Sequence, residues 1–434
     1  MAITPMAIDK KILGDSAWNY GAFALMAGTG IVLNFFIAGY FGIETLGVFN
    51  QIYAVYVVSA QLAVFGLHDS AQKYIAEFSG NVEQRQSIAL SAVLLALIFG
   101  TIAALVIFLS SPGIGRIAGS RAVGAGAALI APGLAFFAVN KVLLGILNGE
   151  RRMKAFALAQ MARVLAILAF CGLVAVMGWP GYVLGGGFSV AEIIIFIPVL
   201  LAARPWAGPP QHDLRAWFQR HLSFGYRAIA NGFLAESYIR VDVIMLGIFV
   251  SDHQVGLYSF AALFIEGLYQ VPVVIRTVIN PMLVGLISTK MRHDLVRFSR
   301  KVMAASVAIF AIVAVSVVVV FPHLAPFFPA GLIDGSYPVL VTVALGLAIY
   351  AAFIPVDFSL LQGGMPGRQS LLMCGNIVFN IVLNAILIPI MGIQGAAFAT
   401  AISFAFSALT LNIAVHYWLN IKGGFLFFGL GRKQ

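Results

Sequence analysis

Charge is scarce in this chain. Of its 434 residues only 10% are Asp, Glu, Lys or Arg, while 61% are hydrophobic. Ordinary soluble domains carry roughly 25% charged residues. A water-facing surface cannot be built from so few, which excludes a soluble enzyme, a nucleic-acid-binding domain and a disordered chain. What remains is a polytopic membrane protein. Cysteine is scarcer still: Cys171 and Cys374 both lie in apolar stretches, so no disulfide framework is indicated. Signatures of catalysis are missing too. The seven histidines (His68, His212, His221, His253, His293, His323 and His416) are scattered, with no HExxH and no paired metal-ligand spacing. Gly185-Gly186-Gly187 has no Lys-Ser/Thr after it, so it is no phosphate loop. Neither an enzyme, a metal site, a cofactor nor an ATP-driven motor is expected.

Apolar runs of helical length recur along the chain, without the alternation of a barrel. Twelve spans are predicted, at 17–40, 47–67, 88–110, 123–147, 157–178, 181–203, 224–249, 255–279, 302–322, 337–362, 371–390 and 394–418. The basic residues support that count. With the N-terminus inside, the outer side holds only Arg116 and Arg121. Five of the 26 basic residues lie within spans, and the remaining nineteen fall on the cytoplasmic side. That is the asymmetry of inner-membrane proteins, with both termini cytoplasmic. It also accounts for the net charge of +10 without any nucleic acid. No small-residue cleavage site follows Lys10, Lys11 and Asp15, so the first span is expected to be retained.

The chain repeats itself. Residues 147–181 align without a gap on 361–395, sharing nine identities in 35 positions, among them Gly149/Gly363, Met177/Met391 and Gly178/Gly392. Lys154 faces Arg368 in the same register, and Leu46-Gly47-Val48-Phe49 resembles Val255-Gly256-Leu257-Tyr258. The expected organisation is a six-helix lobe (1–203), a cytoplasmic basic linker (204–222), a second six-helix lobe (223–418) and a cytoplasmic tail (419–434). Two pseudo-symmetric all-α lobes around a central cavity are a transporter plan, working by alternating access.

Ionisable groups inside spans are costly in hydrocarbon, so each is a functional candidate. Lys141, Arg163 and Arg276 lie near enough to the cytoplasmic ends of their spans to snorkel outward. Arg240 is too deep for that. Together these four form a candidate anion-binding set, because Lys and above all the planar Arg fork suit phosphate. Glu192, Glu236, Asp242, Glu266 and Asp357 are candidate coupling or gating carboxylates. Glu236 and Arg240 are four apart and share a helix face, as are Asp69 and Lys73 just after the second span. Asp357 aligns two residues beyond Lys141 in the repeat, which places opposite charges at similar depth in the two lobes. A lipid-linked pyrophosphate fits these features, its anion in the cavity and its tail in the bilayer.

Phe41 to Phe49, the Arg240-Val241-Asp242 stretch, Val255 to Tyr258 and Asn280-Pro281 resemble the bacterial polysaccharide and oligosaccharide flippases of the multidrug/oligosaccharidyl-lipid/polysaccharide exporter superfamily. The resemblance covers nearly the whole chain in span number, repeat and loop size. It implies transfer of an undecaprenyl-pyrophosphate-linked oligosaccharide between leaflets of the inner membrane, for O-antigen or exopolysaccharide synthesis. Proton or sodium coupling is implied with it, as are membrane lipids and the polysaccharide polymerase and chain-length machinery as partners. The lipid II flippase branch resembles the same plan with two further spans. The drug-exporter branch shares twelve spans and stands as the alternative. A membrane glycosyltransferase or polymerase would need a longer outer loop than this chain has.

Overall fold

The structure, a computed structural model, describes residues 10–204, 214–289 and 291–427, with their side chains except at 10–17, 19–20 and 228–239. Among the described residues there is no strand. The order is α1 (Lys10–Phe36), α2 (Ile43–Val64), α3 (Leu67–Glu77), α4 (Val82–Ile117), α5 (Arg121–Gly149), α6 (Met153–Val176), α7 (Gly186–Ala203) and α8 (Leu214–Phe249). Then come α9 (Asp252–Ser288), α10 (Arg292–Val320), α11 (Leu332–Ala351), α12 (Ser359–Gln362), α13 (Pro366–Met391), α14 (Ile393–Trp418) and α15 (Gly424–Phe427). Eleven helical stretches among the described residues are long and apolar enough to cross a membrane. Helix α8 covers the remaining expected span and carries Arg227, Glu236, Arg240 and Asp242. Helices α4 and α9, with 36 and 37 residues, are about 55 Å long. They outreach a hydrocarbon core of roughly 30 Å, so their ends stand in the headgroup layers.

The chain forms two compact units, Met1–Phe41 with Gln51–Glu236, and Gly42–Asn50 with Ser237–Gln434. In the first, Leu67, Ile75, Ile88, Leu143 and Ile195 meet in one core with Trp217. Helix α3 buries Leu67, Ser70, Ala71 and Ile75, the i, i+3, i+4, i+8 stripe of an amphipathic helix. Asn81 and Ser120 cap α4 and α5 by accepting from Gln84 N and Val123 N, which satisfies a free first-turn donor in each. Trp217 and His221 bracket the end of the expected linker, yet both are buried. Their segment is helical from Leu214 onward, because an indole and an imidazole gain more in this core than in water.

The second unit holds a comparable core of Leu283, Leu295, Val296, Met303, Leu411 and Val415. The expected cytoplasmic tail takes part in it: Phe425 is fully buried, and Arg300 donates to the carbonyls of Phe425 and Leu426 at 2.7 Å each. The first turns of α2 belong to this unit and pack on the first turns of α9. There a Cβ on Gly47 would run into the Asp252 carbonyl, and one on Gly256 into the Ile43 carbonyl. The two glycines of the short repeated motif thus make one reciprocal close approach.

Other repeat pairs behave alike. Gly178 and Gly392 have φ of 64° and 58°, each just beyond the end of its helix, where a residue without Cβ is favoured. Lys154 lies 5.4 Å above the Trp18 ring and Arg368 5.6 Å above Trp418; the cations are repeat partners, while their rings come from unrelated positions in α1 and α14.

Candidate functional site

In the first unit the charge cluster centres on Glu192, whose side chain is 1% exposed on α7. Arg163 of α6 reaches it twice. Its Nε lies 2.7 Å from Oε1 at an angle suited to an ion contact only, and Nη2 donates to Oε2 at 3.3 Å. Asn140 of α5 donates to both the Glu192 carbonyl and Oε2 at 2.8 Å, and the Tyr56 hydroxyl donates to Oε1 at 3.4 Å. The Arg163 guanidinium also donates to Gln160 and lies 5.5 Å over Phe137. Tyr53, Phe188 and Tyr56 stack beside it, with Phe188 5.3 and 4.8 Å from the two tyrosines. One carboxylate therefore ties α2, α5, α6 and α7 together. A buried pair so fully bonded avoids the large cost of an isolated ion.

Lys141, next to Asn140, bears on α3 instead. Burial pushes the His68 imidazole down to about 4; Asp69 pulls it up, and the Lys141 charge adds to the fall. His68 is thus neutral near pH 7, and its 3.3 Å approach to Asp69 is not an ion pair. The expected partner of Asp69, Lys73, lies over the Tyr74 and Phe224 rings at 4.9 and 5.6 Å. His221 joins α8 to α3 and α4. Its Nδ1 is 2.7 Å from Ser70 Oγ and its Nε2 is 3.2 Å from the Ile88 carbonyl. Since a carbonyl only accepts, Nε2 carries the proton and Ser70 donates to Nδ1. Burial pushes this imidazole down to about 4 as well, with the Ile88 bond opposing the fall.

In the second unit Arg240 of α8 donates to Glu266 Oε1 of α9 at 3.0 Å, with the carboxylate side chain 40% exposed. Arg276 of α9 donates to both oxygens of Asp357 at 3.0 Å and lies 4.2 Å over the Phe358 ring. Asp357 is accordingly held by a cation of its own unit, and the charge alignment with Lys141 in the repeat has no bearing on its bonding. Arg276, expected to snorkel, is 16% exposed and turned to that acid. Glu236 lies in α8, but its side chain falls outside the described residues.

Asp242 is different. Its Oδ2 accepts from the Tyr258 hydroxyl at 2.8 Å and from Thr400 Oγ1 at 2.5 Å; its Oδ1 accepts from Asn384 Nδ2 at 2.7 Å. Asn384 also donates to Asn380 Oδ1 at 3.0 Å, and Asn380 to Ser403 at 3.3 Å. Among the described residues no Lys or Arg touches Asp242. Asn384 Oδ1 is buried and has no partner among them. Two hydroxyls and one amide N–H thus donate to a single buried carboxylate, neutral groups that leave its charge without a partner cation among the described residues. No group of three His, Cys, Asp or Glu side chains placed to hold a metal ion occurs among the described residues. Spacing alone could have flagged the asparagines: Asn376, Asn380 and Asn384 recur every four residues on one helix face.

Long, lipid-length helices, with ion pairs formed inside each of the two units, define a multi-pass membrane protein. The sequence narrows this further. Residues 12–287 match the family described as "Polysaccharide biosynthesis protein", and the chain belongs to that family. A curated relative from Haloferax volcanii, "Probable flippase AglR", is 29% identical over 182 residues, 40% of this chain and 37% of that protein. The matched region is therefore well under half of that relative. Among solved structures, the lipid II flippase MurJ in an inward closed conformation superposes with a TM-score of 0.74 at 16% identity, covering 93% of this chain and 87% of MurJ. An inward-facing multidrug resistance MATE transporter of the MOP superfamily gives 0.73 at 14% identity, covering 92% and 94%. At such identities the likeness is one of fold.

Proposed function

We propose that this protein is a flippase that carries an undecaprenyl-pyrophosphate-linked oligosaccharide from the cytoplasmic to the periplasmic leaflet of a bacterial inner membrane, by alternating access. The family match over residues 12–287 carries this reading, and a relative named as a probable flippase supports it.

The pairing of charges gives it a mechanism. Arg240 is the cation assigned to the pyrophosphate, because its partner Glu266 is the most exposed acid in the paired set. A phosphate oxygen can displace that carboxylate without leaving the guanidinium unpaired. The more buried pairs, Arg163–Glu192 and Arg276–Asp357, serve as fixed braces. Asp242 is the coupling group. It can hold one exchangeable positive charge, proton or sodium, against neutral donors.

The test is flipping in proteoliposomes with a fluorescent polyprenyl-pyrophosphate oligosaccharide, scored by a membrane-impermeant quencher. Protein-dependent transfer that Arg240→Ala abolishes supports both the function and the site. Transfer that survives the substitution keeps the function and removes Arg240 from it. The second reading is a cation-coupled drug exporter, favoured by the nearly equal likeness to the MATE fold. Ion-driven uptake of an organic cation, with no transfer of any glycolipid, would establish it instead.

A further inference from the structure

The turn between α4 and α5 carries a groove of about 490 Å³, lined by Ser111, Pro112, Arg116, Arg121, Ala125 and Ala128 with three glycines. Its sequence causes are local. Gly119, at φ 60°, ends α4, and Ser120 N reaches back to the Gly115 carbonyl at 2.9 Å. That closure brings the helices together so tightly that a Cβ on Gly115 would sit 3.0 Å from Gly124 Cα. Small side chains on both helices then leave an open trough with two arginines at its rim.

Those arginines differ from the three held within spans. Arg163, Arg240 and Arg276 each have a carboxylate. No acid lines this groove, and among the described residues neither Arg116 nor Arg121 has an ion-pair partner. Arg116 makes one weak bond, Nε to the Pro112 carbonyl at 3.4 Å. They are also the two basic residues that the charge pattern puts outside, where Lys and Arg are otherwise depleted. Beside them Leu109 and Ile117 of α4 are exposed apolar side chains on a helix long enough to reach the headgroup layer.

We infer that this groove binds the phosphate headgroup of an anionic phospholipid, phosphatidylglycerol in type, with its acyl chains lying along Leu109 and Ile117. Two uncompensated guanidiniums match a phosphate oxygen fork. A soluble anion would gain nothing from the apolar strip. The site is separate from the transport reading, since lipid binding is scored with no transport taking place.

Native mass spectrometry of the full chain, titrated with phosphatidylglycerol or with phosphatidylcholine, tests it. Wild type should retain the anionic lipid over the zwitterionic one. The Arg116→Gln/Arg121→Gln double variant should bind phosphatidylglycerol about thirtyfold more weakly, and Arg116→Lys/Arg121→Lys should fall between. Ala128→Leu, which fills the trough and keeps both charges, should weaken it too. Phosphatidylglycerol affinity unchanged in the glutamine variant and in Ala128→Leu would overturn the assignment. So would tight binding of a polyprenyl pyrophosphate at these arginines with none of phosphatidylglycerol.

Discussion

Asp242→Asn is the sharpest perturbation available. The substitution removes the charge and keeps the shape. One amide oxygen can still accept from Tyr258 and Thr400, which both bind Oδ2. The new amide N–H group would face the donor of Asn384. Asn384 can turn its amide over, because its Oδ1 has no partner to lose among the described residues. The net loss is about one hydrogen bond, on the order of 1 kcal/mol, so the variant should fold and melt within a few degrees of wild type. Coupling, by contrast, should vanish. With one ion moved per lipid, a tenfold ion gradient biases the leaflet ratio about tenfold. The assay is leaflet distribution of fluorescent glycolipid in proteoliposomes with the membrane potential clamped, run with a proton gradient and then a sodium gradient. Wild type should follow one of the two, and Asp242→Asn should equilibrate the leaflets under both. A variant that still follows the gradient refutes Asp242 as the exchanging group.

Other outcomes follow from the same geometry. Glu192→Leu strands the Arg163 guanidinium, which is 12% exposed, and should cost about 3–5 kcal/mol; the Glu192→Leu/Arg163→Met double variant should recover most of that in thermal melts. Gly256→Ala pushes a methyl group into the Ile43 carbonyl, where backbone cannot give way, and about 1–3 kcal/mol of stability should be lost, visible as lower detergent-extracted yield and melting temperature. Glu266→Gln should raise affinity for the pyrophosphate probe, since it leaves Arg240 without its competing anion; unchanged affinity would place the substrate elsewhere. Stability should also fall with acid through His221. Its folded-state pKa of about 4 lies below the unfolded value of about 6.5. Its contribution is therefore complete above pH 6.5 and lost as pH falls through 4, by about 3 kcal/mol in all. His221→Gln should flatten that part of the pH–melting curve.

The fold was largely legible because its signals are cumulative. Twenty apolar residues in a row mark a crossing whatever their partners are, and eleven of the twelve expected spans are long, apolar helices among the described residues. The repeat was legible at Gly178/Gly392, where identity reflects a backbone need that both copies share. Composition could not reveal how the chain's ends and linkers pack. Trp217 and Phe425 sit in segments expected to be a cytoplasmic linker and tail, yet both side chains are buried. Such a local gain leaves no periodic trace.

The site was half legible, for a physical reason. Sequence marks which residues are expensive in hydrocarbon, and Arg163, Arg240, Arg276, Glu192, Asp242, Glu266 and Asp357 were all marked on that ground. It does not mark which groups relieve the cost. For the arginines the relief is a carboxylate on another helix, 29, 26 and 81 residues away, beyond the reach of spacing rules such as i, i+4. For Asp242 the relief comes from Tyr258, Asn384 and Thr400, neutral side chains that are individually unremarkable in a span. Difference of partner, then, is what separates the acids. A carboxylate held by a guanidinium has its positive charge supplied permanently by the protein. One held by hydroxyl and amide donors has no cation supplied by the protein, and on that ground Asp242, among the marked acids whose side chains are described, is the one proposed to couple movement to an ion.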